Sequence, residues 1–316
     1  MRSSSTEAPR RRKRAFAALL CSLAAVVCLF PASAVARTEL AVTVDDLPGS
    51  GPLPPGMTRL SIVRQMMQAL RQHAVPGVYG FANGGRVRDS PELEEVLRTW
   101  RKGGFLLGNH TLSHLDLDRV TADEFVADVE RNEALLARWS PPRPERYFRY
   151  PYLHQGNSLD KQSAVRRWLA SRGYRVAHVT VYVEHWEWNG AYIRCVARND
   201  RPAIARLRDK FLEVSKVRLA WARELSAQLF KRQVKHILLL HAEPFDALML
   251  ADLLRAYRAD GVTLIGLESA VQDPAYVTDV AGAGDATFLL QVAEARGVVI
   301  PPLVAGAPPE LDHICR

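Results

Sequence analysis

Short apolar runs alternating with longer helical patterns predict an α/β protein built on a parallel sheet. Three observations carry that expectation. Seven such runs are each followed by a stretch with helical character, and capping residues and glycines mark the helix ends. The acids, histidines and arginine best suited to chemistry fall at or just past the ends of the runs, and in a closed parallel barrel those ends form a single rim.

Taken in order, strands are expected over Leu40–Val44, Gly77–Phe81, Gly104–Leu107, Tyr147–Arg149, Arg175–Val181, His236–Leu240 and Thr263–Leu267. Helices are expected over Arg59–His73, Pro91–Lys102, Ala122–Trp139, Asp160–Ser171, Ala203–Leu229, Leu248–Ala259 and Phe288–Arg296. Ser90 before Pro91 reads as a cap, as does Thr121 with Glu124 three positions on. Gly103, Gly173 and Gly261 stand just past helical patterns, where a left-handed residue is wanted. Residues 280–287 read as a joint, and the chain beyond it follows no clear pattern.

The first 36 residues differ from the rest. Arg10 to Arg14 are all basic, Ala15 to Phe30 is apolar, and small residues follow through Ala36. This is the pattern of a secretory signal peptide with cleavage after Ala34 or Ala36, and the uncharged run is short for a retained span. An exported protein, periplasmic or secreted, with no transmembrane span in the mature chain is therefore expected. Removing the leader takes away six basic residues and one acid, so the net charge of +8 falls to +3. Without basic and aromatic residues interleaved, nucleic acid is not expected as a partner. Cys21 and Cys28 leave with the leader, and Cys195 and Cys315 remain as a candidate disulfide, or as two buried thiols.

Asp45 and Asp46 end the first strand, and adjacent carboxylates repel unless a cation or a shifted pKa relieves them. Strand alternation lets one face a metal and the other not, provided the strand is turning; an ordinary Asp-rich turn is the plainer reading. His110 and His114, four apart, would reach one ion from the same side of a helical turn. With a carboxylate they make a two-histidine, one-acid set that leaves a coordination position for water. His241 closes the run Ile237–Leu240 as a candidate proton donor, and Arg149 as a candidate partner for a carboxylate. Trp186 and Trp188, read as alternate strand positions, are candidates for a substrate wall or for packing.

These motifs, in this order from about Glu39 to Tyr276, resemble the polysaccharide deacetylases of carbohydrate esterase family 4, also called the nodulation-type deacetylase homology domain. Thr43–Asp46, His110–His114, Arg149–Tyr152 and Ile237–His241 look like four of the family's motifs. The resemblance implies a deformed (β/α) barrel of about seven parallel strands forming one catalytic domain over residues 37–276, with a C-terminal extension over 277–316. It implies Asp46, His110 and His114 as ligands of a divalent ion, zinc first, with cobalt, nickel, manganese and iron also compatible. Asp45 is implied as general base, His241 as general acid, Arg149 as the residue orienting Asp45, and the Tyr152 backbone N–H as an oxyanion donor. The implied substrate is an acetylated, N-acetylglucosamine-containing glycan.

Two departures from the pattern stand out. Leu47-Pro48 follows the paired acids where the family often has Gly, and Tyr182-Val183-Glu184-His185-Trp186 lacks the Asp expected to partner the acid histidine. Glu184 or Asp246 is a candidate substitute. A non-catalytic glycan-binding relative is therefore the competing reading, and a non-haem iron oxygenase, which shares the ligand set, a more distant one.

Overall fold

Among the described residues seven strands pair in parallel: β1 (Glu39–Leu47), β2 (Tyr79–Ala82), β3 (Leu106–Asn109), β4 (Arg146–Phe148), β5 (Tyr174–Val176), β6 (His236–His241) and β7 (Thr263–Ile265). Their order is β5-β4-β3-β2-β1-β6, and β7 also pairs with β1. The computed structural model describes Met1 and residues 37–88, 90–140, 146–278, 280, 287–303 and 309–316. The expected leader over 1–36, apart from Met1, and most of the expected joint over 280–287 lie outside the described residues.

Parallel strands covered on both faces read as continuous apolar runs, and β1 and β6 are buried almost throughout. The period of two divides their side chains. Leu40, Val42 and Val44 of β1, with Leu238 and Leu240 of β6, belong to the large outer core. That core is completed by helices including α1 (Arg59–Gln72), α2 (Pro91–Lys102) and α7 (Pro244–Ala259). Ala41, Tyr79, Phe81, Tyr147 and Ile237 form an inner cluster. The inner rows thus run Ala41-Thr43-Asp45, Tyr147-Arg149 and Ile237-Leu239-His241, each placing a polar residue at its C-terminal end.

The strand expected over Arg175–Val181 divides between two partners. Its start, β5, pairs with β4, while Val181 bridges to Leu238 of β6 and accepts the Leu239 N–H at 3.1 Å. The chain leaves regular pairing in between because it crosses from one sheet edge to the other, which closes the sheet into a deformed (β/α) barrel. β7 meets only the start of β1, on the edge that β2 occupies further along. There Gly77 and Gly266 touch backbone to backbone: a Cβ on Gly77, whose φ is +51°, would stand 2.9 Å from the Gly266 Cα. The short α8 (Leu267–Ala270) then turns Leu267 and Ala270 into the inner cluster.

The remaining helices are α3 (Ala122–Leu136), α4 (Leu159–Ser171), α5 (His185–Ala197), α6 (Arg201–Phe230) and α9 (Phe288–Ala295). Thr121 and Glu124 form a reciprocal capping box. Ser90 stands at the N-cap of α2 but makes no side-chain cap bond. Gly173 and Gly261 are left-handed as expected, whereas Gly103 keeps a helical φ and Gly104 takes the turn at +88°. The sequence reading missed α5 because its tryptophans alternate; His185–Ala197 is a helix docked on α6 and α7. Cys195 of α5 is disulfide-bonded to Cys315, which lies beyond α9, with Cα atoms 5.1 Å apart. No helix among the described residues is long and apolar enough to cross a membrane.

Candidate metal centre and catalytic site

Both carboxylates of the acid pair face one cavity because the strand turns between them. Asp46 has a φ of +63° and the β1–β2 register shifts between Val44 and Leu47, so a local bulge replaces the usual alternation. Asp tolerates this left-handed geometry better than most residues. Gly108 keeps the neighbouring row open, since a Cβ there would stand 2.4 Å from the Phe81 ring.

His110 continues the inner row of β3. Its Nδ1 lies 2.7 Å from the Arg149 carbonyl oxygen, which only accepts, so Nδ1 carries the proton and Nε2 presents its lone pair to the cavity. His114 does not lie on a helical turn with it, contrary to expectation. Residues 110–114 form an irregular loop with Thr111 and His114 at φ of +62° and +56°, and this fold of the backbone brings the ring centroids to 5.0 Å. Strained backbone of this kind concentrates at functional sites.

Nε2 of His110 and Nε2 of His114 stand 3.5 and 3.2 Å from Asp46 Oδ1. Ligands about 2.1 Å from a tetrahedral ion are roughly 3.4 Å from one another, so the spacing fits a cation at the centre of the three. Asp46 Oδ1 is buried and receives no hydrogen bond among the described residues, as a metal-facing oxygen should. Burial opposes ionisation of Asp46, but the imidazoles of His110 and His114 and the charge of His241 outweigh it and hold the carboxyl well below its usual range. In the same way burial disfavours a charged His110, yet the two acids beside it raise its pKa.

Asp45 is held from below by Arg149, whose Nη1 lies 3.3 and 3.1 Å from the two carboxylate oxygens. The guanidinium is 1% exposed, donates from Nε to the Ala177 carbonyl and from Nη2 to Thr43 Oγ1 at 3.1 Å, and lies 4.7 Å over the Phe81 ring. Burial lowers the arginine pKa, and Asp45 opposes that shift.

Asp45, Asp46, His110, His114, Tyr152, Trp186 and His241 all line one cavity of about 460 Å³. Tyr152 and Leu153 are left-handed at φ of +58° and +62°, and the Tyr152 ring packs 4.5 Å from that of His114. Trp188, expected beside Trp186 as a candidate for the substrate wall or for packing, is the exception. It sits two positions along a helix rather than a strand, is fully buried, and in the outer core stacks on Phe245 and meets Phe211 edge to face. Tyr182, standing where an Asp was expected, meets His241 in an edge-type contact with ring centroids 6.3 Å apart. Of the two suggested substitutes, Asp246 accepts the His241 backbone N–H at 2.6 Å and Glu184 pairs with Arg218 at 2.9 Å. Burial raises the Asp246 pKa well above its usual value.

Sequence reasoning missed Glu243. It is 5% exposed, lines the cavity, and accepts from the Ser50 hydroxyl through Oε1 at 3.2 Å. Burial raises its pKa against the opposing charge of His241. It stands two places past His241, extending the row Ile237-Leu239-His241 beyond the strand end, and that spacing was the available signal. Also missed were Asp116, Asp118 and His154, with ligand-type atoms within 4.8 Å of one another. Asp116 bonds His154 at 2.9 Å and Arg119 at 3.2 Å, tying the histidine loop to the Tyr152 loop.

Residues 33–176 match the family model described as polysaccharide deacetylase, in agreement with the resemblance read from the motifs. A peptidoglycan-N-acetylglucosamine deacetylase of Bacillus cereus is 25% identical over 151 residues, 48% of this chain and 47% of that protein. A chitooligosaccharide deacetylase of Rhizobium leguminosarum bv. trifolii is 34% identical over 74 residues, 23% of this chain and 33% of that protein. The chain thus spans under half the length of these two relatives. The structure of the chitin deacetylase from the fungal pathogen Colletotrichum lindemuthianum superposes with a TM-score of 0.52 at 20% identity, covering 75% of this chain and 88% of that one. A family 4 pseudoenzyme from Bacillus anthracis superposes with a TM-score of 0.50 at 12% identity, covering 75% and 66%. At these identities the structural likeness establishes the fold.

Proposed function

From the polysaccharide deacetylase match over residues 33–176 and the barrel that carries it, we propose that this chain is an exported, divalent-metal-dependent hydrolase removing N-acetyl groups from an N-acetylglucosamine-containing glycan. The observation that carries the reading is the convergence of Asp46, His110 and His114 on one point beside an arginine-paired Asp45. Export rests on the basic, apolar leader, and the Cys195–Cys315 bond is in keeping with an oxidising compartment.

Asp46 and the Nε2 atoms of His110 and His114 would hold the ion, zinc being the first candidate. When bound, it supplies Lewis acidity to the acetyl carbonyl and to the attacking water. Asp45 takes the proton from that water: the Arg149 guanidinium pairs with it and fixes its orientation, leaving its carboxylate facing the cavity. The backbone N–H of Tyr152, a residue at the cavity wall, donates to the developing oxyanion. His241 protonates the departing nitrogen, without which the newly added water would be the better leaving group. Exposed Trp186 offers an apolar wall to the sugar or the acetyl methyl.

The test is acetate release from acetylated glycans by wild type and by Asp45→Asn, with metal content measured in both. Wild type should release acetate, and Asp45→Asn should stay metal-loaded while losing on the order of 10²-fold or more. A metal-loaded Asp45→Asn of normal activity would refute the base assignment. Tyr182 in place of an acid favours one alternative, a metal-loaded glycan-binding protein without turnover. That protein would bind the same oligosaccharides and release no acetate.

A further inference from the structure

Beside the catalytic cavity lies a second one of about 610 Å³, and Tyr152, Leu153 and Tyr182 line both. Its far wall is mostly apolar, formed by Trp221, Leu290, Ile300, Pro301 and Leu303. The charged groups in the lining, Arg218 and Glu184, neutralise each other at 2.9 Å. The wall is fastened in place by specific bonds. Trp221 Nε1 donates to the Pro301 carbonyl at 2.9 Å, Gln228 Nε2 to the Val299 carbonyl at 3.1 Å, and the Phe288 N–H to the Val179 carbonyl at 2.8 Å. Residues past the barrel strands thus build a chamber whose inner edge is the rim of the catalytic site.

We propose that this chamber receives the hydrocarbon tail of an N-acyl group longer than acetyl, making the preferred substrate a glycan amide with a medium-length acyl chain. The inference rests on the deacylase reading above and narrows it. A carbonyl carbon placed over Asp46, His110 and His114 with its oxygen at the Tyr152 N–H has Tyr152 and Leu153 beside it, and those two residues form the shared wall. A tail continuing past them leaves a cavity crowded with acids and histidines for one lined mostly by aliphatic and aromatic side chains. The methyl of an acetyl group is too short to use that space, and cavities of several hundred Å³ lined by aromatic and aliphatic side chains are sized for larger apolar groups. Atoms balance as in any amide hydrolysis. The acyl carbon–nitrogen bond breaks, water delivers its oxygen to the acyl carbon, and the nitrogen leaves as an amine carrying a proton, giving a free carboxylic acid.

The experiment uses the full, metal-loaded mature chain and measures release of the free acid from N-acetyl, N-butanoyl and N-hexanoyl chito-oligosaccharides. If each added methylene is transferred from water to the chamber, kcat/KM rises about fourfold per methylene. Flat or falling values from acetyl to hexanoyl overturn the inference. Ile300→Trp and Leu290→Trp, each checked for native circular dichroism, fill the chamber from different elements, and Ile300 is already 38% exposed. Either should lower the hexanoyl-to-acetyl ratio of kcat/KM at least tenfold, and an unchanged ratio in both overturns the inference. Acetate release without a chain-length gain removes this inference and leaves the deacetylase intact; release of no acid from any amide removes both.

Discussion

A φ of +63° at Asp46 puts two successive carboxylates into one cavity, and each then meets a different environment. Asp46 faces two imidazoles, whereas Asp45 is clamped by a fully buried guanidinium. Removing one partner of such a buried pair leaves an uncompensated charge. Arg149→Met should therefore destabilise the protein by about 3–5 kcal/mol in denaturant unfolding, and Asp45→Asn in the same background should restore part of the loss. Glu243 carries the opposite liability. Its folded pKa is raised, first by burial, so its favourable contribution is complete below the unfolded value and is lost as pH rises through the folded one. Glu243→Gln, which retains an acceptor for Ser50, should raise the melting temperature of chelator-treated protein at pH 8 and change little at pH 4. Asp45, Asp46, His110, Arg149 and His241 were each legible in the sequence because strand ends were recognisable, whereas His114 was picked out from a helical spacing that the loop does not follow. Glu243 was not, because the row it extends continues beyond the last apolar residue.

At the scale of elements, Trp186 and Trp188 separate the two meanings of an aromatic pair. The alternating spacing suggested a strand, but α5 turns Trp186 to the cavity mouth and Trp188 into the outer core against Phe245. Trp188→Ala should cost about 3–5 kcal/mol through the cavity it leaves. Trp186→Ala, 59% exposed at present, should leave thermal stability within about 0.5 kcal/mol while weakening substrate binding. Melting curves and KM on the same two variants check both statements. Local spacing misled here because α5 owes its position to contacts with α6 and α7, which lie beyond its own sequence.

At the scale of the molecule, two structural devices are open to measurement. His236 is buried and His178 half-buried, and desolvation depresses their pKa values to about 4 and about 3. The unfolded chain binds their protons first, so the stability these neutral rings leave intact above pH 6.5 is lost as pH falls toward the folded values. For His236 alone the loss is on the order of 3 kcal/mol between pH 6.5 and 4. His236→Asn should flatten that part of the stability curve, as followed by urea midpoints. The Cys195–Cys315 bond closes a sequence separation of 120 residues. Its reduction, or Cys315→Ser, should cost about 2–5 kcal/mol, measured by unfolding with and without reductant.

Alternation of apolar runs with helical periods was enough to foresee a parallel α/β architecture, seven strands and a rim where polar residues gather. These follow from local pattern: period-two burial, capping residues and the break where a strand meets water are all written within a few residues of each other. The bulge at Asp46, the loop that brings His114 onto His110, the division of the Arg175–Val181 run between β4 and β6, and the chamber walled by residues 300–303 depend on partners far away in the chain. Packing and closure decide such features, because the energy that holds each one comes from contacts that exist only once the barrel has formed.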